Sequence, residues 1–286
     1  MKLRSISSAL VLLLSSAFLI AVRAQQPAVR PFGPGEQLIY KAEVSRSLLK
    51  KIDVATFKFQ VEAAPMKHHG RDARATLDGT LEGTPALRFI GDVASEGFFT
   101  KLFNLKFHQH VESTVDPESL AVRKTVKLDE QGKRVRASEA VFDSKTNKVT
   151  WVERDPNDPT RPERILSSDF TGTVQDVVSA IYYLRTQKLE PGTSFEMELS
   201  DSGRVYKVPV RVLEKKRMKT VLGKHEAVNV VPQLFGEGGL LNRSGQLSIW
   251  LTDDSRHIPV KAQLKGDFGT FDITLKQVSG VPPARK

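Results

Sequence analysis

The chain has 286 residues, no cysteine and a formal net charge of +10. The missing cysteines exclude thiol nucleophiles, disulfide staples, thiolate zinc sites and iron–sulfur clusters, while the length suffices to bury a full core without staples. The basic balance points to acidic partners in general, but the aromatics alternate with polar residues rather than interleaving with a basic stripe, which argues against nucleic acid.

At the start, Lys2 and Arg4 precede an apolar run from Ile6 to Val22, and Val22-Arg23-Ala24 places small residues at the −3 and −1 positions of a cleavage site. This order predicts a secretory signal peptide over residues 1–24 and a periplasmic or secreted protein that is not transmembrane after cleavage. Those residues hold three cations and no acid, so the remainder carries +7. In the cell envelope, lipid head groups and anionic glycans are the acidic groups nearest at hand.

Period-two alternation follows. "EQLIYKAEV" puts Leu38, Tyr40, Ala42 and Val44 on one face, and "KIDVATFKFQVEA" turns Ile52, Val54, Phe57, Phe59 and Val61 inward, with a slip near Thr56. "ASEGFFTKLFNLKFHQH" differs: Phe98, Phe99, Leu102 and Phe103 have helical spacing before the pattern alternates again. Two readings stand for these four residues, a ligand-binding flap at the mouth of a cavity or a short helix folded onto the sheet as core. His108 and His110, two apart on a strand, share a face with Glu112. They are weak metal candidates, because spacing places no third ligand with certainty. The expectation is therefore no metal and no cofactor.

"LAVRKTVKL", "RVRASEAVFD" and "KVTWVER" are further short strands, with turns at Asp129–Gly132 and Ser144–Asn147. Glu153–Leu166, with three prolines, cannot form a core strand and reads as an exposed crossover. Val174, Val177, Val178, Ile181 and Tyr182 then recur at helical spacing, predicting one amphipathic helix over Thr173–Gln187. Thr171 or Thr173 would be its N-cap and Pro191-Gly192 its stop. Strands resume with "SFEMELSD", "VYKVPVRVLEKK" and "KHEAVNVVPQL", with turns at Asp201–Gly203 and Leu222-Gly223. The basic run Leu213–Lys219 reads as a solvated hairpin turn or an anion-binding patch.

In the last stretch, Gly245–Leu275, the run Asp253-Asp254-Ser255-Arg256-His257 gathers groups that catalysis could use. It reads as a tight turn, since Asp and Ser bond the backbone just ahead of them and residues packed into one turn point different ways. Glu36 with Glu43, and Glu196 with Glu198, are the acid pairs available for general acid–base work. Nothing in the pattern encloses them in an apolar pocket.

The expected fold is mainly β, a strongly curved antiparallel sheet forming a half or whole barrel, with one packed amphipathic helix. Its organisation divides into residues 25–152 as the N-terminal half of the sheet, 153–168 as a Pro-rich crossover, 169–278 as the helix and C-terminal half, and 279–286 as a disordered tail. "FGPGEQLIYKAEVS", "DVVSAIYYLRTQKLEPGTSFEMELSDSGRVYKVPVRV", "TVLGKHEAVNVVPQL" and "GQLSIWLTDDSRHIPVKAQLKGDFGTFDITL" together resemble exported bacterial proteins carrying the domain of unknown function numbered 3108. The resemblance implies an envelope location and a curved sheet, and brings no catalytic residue. The favoured functional expectation is a non-enzymatic envelope protein binding a lipid-like molecule on an apolar concave face, with basic residues at the rim. An envelope scaffold with a filled core and an envelope protein as partner, and a glycan-directed hydrolase, are the alternatives. A cavity above roughly 300 Å³ selects the first, a solid interior the second, and paired carboxylates in a polar cleft the third.

Overall fold

The computed structural model describes residues 30–46, 49–65, 85–95, 106–267 and 269–284. The candidate signal peptide, residues 1–24, and the candidate flap residues Phe98, Phe99, Leu102 and Phe103 lie outside the described residues.

The described chain from Pro31 onward is mainly β. In order it forms β1 (Gln37–Arg46), β2 (Leu49–Pro65), β3 (Pro85–Ser95), β4 (Phe107–Val115), β5 (Val122–Gln131), β6 (Arg134–Asp143), β7 (Lys148–Arg154), β8 (Arg164–Asp169) and β9 (Val174–Gln175). A helix, α1 (Val177–Leu184), is followed by β10 (Ser194–Asp201), β11 (Arg204–Thr220), β12 (Gly223–Pro232), β13 (Gly245–Thr252), β14 (Pro259–Gly266) and β15 (Gly269–Ser279). All fifteen strands join one curved sheet in the order β8-β7-β6-β5-β4-β3-β2-β1-β15-β14-β13-β12-β11-β10-β9. The chain meanders outward from β1 to one edge, crosses to the opposite edge, and meanders back until β15 pairs with β1. Neighbours are antiparallel except the short β9–β10 pair. The two edges are not hydrogen-bonded to each other, so the sheet is not a closed barrel.

The turns have the residues their geometry demands. Ser202 and Gly203 both have positive φ, 48° and 78°, the two-residue hairpin form that matches strand twist. A side chain at Gly203 would also collide with Trp151, 2.8 Å from an ideal Cβ. The curl of the sheet thus brings the β10–β11 turn against β7 and β8.

Five expectations need correction. The helix spans Val177–Leu184, not Thr173–Gln187, because Val174 and Gln175 are taken up by pairing with Glu198 and Leu199. Its N-cap is Asp176, whose carboxylate accepts from the N–H groups of Val178 and Ser179, while the Ser179 hydroxyl accepts from the Asp176 N–H. Leu213–Lys219 is not a turn; it is the far end of β11. The Pro-rich segment 153–168 is not the crossover: it closes the β7–β8 hairpin and ends within the exposed edge strand β8, while the expected disordered tail begins inside β15. Past that strand, Gly280 lies against the Gly35 carbonyl and Val281 packs against the buried cluster that includes Leu38 and Leu275.

Candidate ligand cavity

Strand register lays the concave face out in rows. One row runs Phe59, Gly91, Val111, Lys127 and Ser138 across β2 to β6; the next runs Val61, Phe89, Ser113, Thr125, Ala140 and Trp151 across β2 to β7. Facing them from the other arm of the sheet are Met197 and Leu199 on β10 and Leu247 and Ile249 on β13. The helix lies between the arms. Val178 seats on Gly91, where an ideal Cβ would come within 2.9 Å of the valine methyl, so the row needs a glycine at that point.

Between helix and sheet remains a cavity of about 350 Å³, partly open to solvent and lined mainly by apolar side chains. Phe57, Phe59, Phe142, Leu184, Leu234 and Leu240 are among its bulky lining residues. Val177, 48% exposed, lies on the helix where the cavity meets water. The polar lining carries both signs, Lys127 and Lys261 with Asp176 and Asp201, among hydroxyls from Thr125, Ser138, Ser200 and Ser202. The basic rim expected from sequence is therefore a mixed one. Lys127 and Asp201 form a loose pair at 4.0 Å, and Lys261 lies 2.8 Å from Asp272.

A buried polar hub fixes one end of the helix. Arg185, the C-cap residue, donates to both Glu36 carboxylate oxygens, to the Pro31 carbonyl at 2.9 Å and to the Arg256 carbonyl at 3.1 Å. Both side chains of the ion pair have zero exposure. The guanidinium also lies 5.2 Å from the Phe32 ring centroid and 5.5 Å from that of Tyr182, which stacks on Phe89 at 4.1 Å. Burial, and then the Glu36 carboxylate, push the Tyr182 hydroxyl pKa well up. At the other end, Asp176 accepts a hydrogen bond from the Thr125 hydroxyl as well as from the first helical turn.

The run Asp253–His257 belongs to this hub. Asp254 accepts from the Arg256 N–H and guanidinium and from the Thr252 hydroxyl. Burial alone would raise the Asp254 pKa, but the bonds from Arg256 hold it below the usual carboxylate range. His257, with φ of 41°, bonds the Arg185 carbonyl through Nδ1 at 2.9 Å. A carbonyl only accepts, so Nδ1 carries the proton and faces the helix rather than an acid. Asp254 and His257 thus point to different partners, as the turn reading requires, and no Ser–His–Asp relay forms.

His108 and His110 share a face, the convex one opposite the cavity. His108 bonds Glu130 at 2.8 Å and lies 3.4 Å from Asp92; His110 bonds Asp92 at 2.8 Å and Glu112 at 3.1 Å. Partial burial lowers the His110 pKa, and the two carboxylates outweigh it and raise it. Among the described residues no group of three or more His, Asp or Glu is arranged to hold a metal ion. The acid pairs separate as well. Glu36 belongs to the hub, and Glu198 accepts from the Thr171 and Gly172 backbone N–H groups while Glu196 on the same strand is exposed.

The model of the family described as "Protein of unknown function (DUF3108)" matches residues 56–276. The chain belongs to the DUF3108 family. No curated protein matches it in sequence. Among solved structures, a β-barrel-like protein of domain of unknown function DUF1849 from Brucella abortus is similar at 11% identity, with a TM-score of 0.53, over 88% of this chain and 98% of that one. This likeness bears on fold alone. A protein of Parabacteroides distasonis aligns over 87% of this chain and 97% of its own at 8% identity, with a TM-score of only 0.29. Among the described residues of this DUF3108 protein, no helix is long and apolar enough to cross a membrane.

Proposed function

We propose that this protein is an exported, non-enzymatic component of the cell envelope that holds one amphiphilic molecule in its concave cavity. The observation that carries the reading is the apolar space of about 350 Å³ between helix and sheet, within the usual range of small-ligand sites of about 300–1,000 Å³. Apolar rows would take the hydrocarbon part. The mixed rim around Lys127, Ser138, Asp201 and Ser202 would face a polar head with both donors and acceptors. Export is supported by the N-terminal sequence pattern, and the DUF3108 label adds no chemistry to it.

The test uses the full protein, stripped of bound lipid by organic extraction and refolded, with a fluorescent fatty-acid analogue as probe. Saturable binding is expected, abolished by Ala140→Trp or Ala262→Trp, which place an indole in the cavity. A refolded wild type that binds no probe, and whose native mass spectrum before extraction shows only the bare chain, would leave a scaffold.

A further inference from the structure

We propose that the far end of the β11–β12 hairpin is a docking surface for an anionic lipid bilayer. Register shows how this end differs from the rest of the sheet. β11 loses its partner β10 after Arg211, and β12 pairs with β13 only from Ala227 to Val230. Arg217–Thr220 and Gly223–Glu226 therefore form a two-stranded ribbon beyond both neighbours. Met218 and Leu222 pack against the buried cluster of Leu38, Tyr40, Ala227, Ile258, Val260 and Leu275, the Thr220 hydroxyl donates to the Gly223 carbonyl, and His225 bonds the Leu222 carbonyl. The ribbon is thereby held in one direction.

Its charge is one-sided. Lys215, Lys216, Arg217, Lys219 and Lys224 are all exposed, against Glu214 and Glu226. Lys215 reaches Asp253 at 2.7 Å; among the described residues no carboxylate comes within ion-pair distance of the other four cations. Lys219 lies directly opposite Lys224 in the ladder, and like charges in that position destabilise a hairpin. Folding gains nothing from this pair, whereas an anionic surface outside the protein would be drawn to it. At the apex, Val221 is 53% exposed, and Leu213 at the root of the ribbon is 41% exposed. An apolar tip flanked by cations suits a bilayer interface, where the valine enters the head-group layer and the cations meet phosphates. A soluble polyanion would satisfy the cations and offer nothing to Val221.

The experiment is vesicle co-sedimentation of the full chain with phosphatidylcholine alone and with phosphatidylcholine containing roughly a third phosphatidylglycerol. Binding is expected on the anionic vesicles only and is lost at high salt. Lys216→Glu with Arg217→Glu should weaken it by about 25-fold or more, at roughly fivefold per cation. Lys133→Glu with Arg134→Glu, an equal charge change at the exposed β5–β6 turn, should weaken it by less than about threefold, because that turn does not face the bilayer. Val221→Ser should weaken binding severalfold without altering its salt dependence, and it tests the tip even if the charge variants fail to fold. Absence of binding to anionic vesicles, or equal losses in the two charge pairs, would overturn the proposal. So would binding to a soluble heparin fragment as tight as to vesicles and unmoved by Val221→Ser. The cavity probe reports separately and should bind all of these variants like the wild type.

Discussion

Replacing Glu36 by alanine should destabilise the protein more than any surface change, and the reason is countable. A guanidinium has five N–H donors. In the hub Arg185 makes four hydrogen bonds, two to Glu36 and one each to the Pro31 and Arg256 carbonyls. Glu36→Ala removes two of them and leaves a fully buried cation without its counter-charge. Breaking a buried pair in this way costs about 3–5 kcal/mol, a large share of a typical total of about 5–15 kcal/mol. At roughly 2–4 °C per kcal/mol for a chain of this size, Tm should fall by about 6–20 °C. Glu36→Leu with Arg185→Met removes both charges and should be no worse than Glu36→Ala. It still leaves the Pro31 and Arg256 carbonyls unpaired, at about 1–3 kcal/mol each, so it should not recover wild-type stability. Urea unfolding of Glu36→Leu, of Arg185→Met and of the double closes the cycle. A loss below about 1 kcal/mol in Glu36→Ala would mean that water reaches the pair and that the hub does not anchor the helix.

Gly91→Leu should dislodge α1 by driving a side chain into Val178; proteolysis within Asp176–Gln187 should accelerate, and an unchanged digestion pattern would count against the seat. The raised pKa of His110 means that its charged form is favoured in the fold, so its contribution is complete below the unfolded value of about 6.5 and disappears as pH rises through the folded value. Urea midpoints should therefore decline from about pH 6 to 8, with a shallower decline in His110→Gln; identical slopes would discard the idea. Asp254 has the opposite sign: its lowered pKa stabilises above the unfolded carboxylate value and is lost in acid, so Asp254→Asn should flatten the acid limb of the same profile.

The fold was legible because a half-exposed antiparallel sheet writes its register as alternation. Phe57, Phe59, Leu247 and Ile249 face the cavity, on the faces that alternation assigns them. Alternation failed at Leu213–Lys219, because Leu213–Arg217 are all exposed and only Met218 turns inward, so a charged strand end looks like a turn. The helix was overextended for a different reason: Val174 suits a helical stripe and a β9 bridge equally, and only the partner on β10 decides. Glu36 and Arg185 were the least legible. An acid before a strand and a base at a helix end are ordinary surface features one at a time. They become a hub only when the fold brings together two positions 149 apart in the chain. A basic residue ending a helix whose other positions are apolar was the available signal. Phe32 gave even less, sitting in a Pro- and Gly-rich lead that looks mobile, yet it is buried against Phe89 and Tyr182.

The hub also bears on how the cavity works. "FGPGE", "SAIYYLR" and "TDDSRH" meet at Arg185: the first supplies Phe32 and Glu36, the second the arginine, the third the Arg256 carbonyl and the His257 imidazole. With Asp176 tied to Thr125 at the opposite end, α1 is fastened at both termini. A wall fixed in this way preforms the cavity, so little of the binding energy of a ligand is spent on ordering it. It also makes the helix an unsuitable door. The alternative route is the side where the sheet edges meet without pairing. There the β10–β11 turn touches Trp151 and Leu166 at Gly203, and the loose Lys127–Asp201 pair spans the gap. Separating those contacts breaks no strand ladder, whereas moving α1 would expose a buried ion pair. For the ligand proposed above, entry at the seam would therefore cost less than entry past α1.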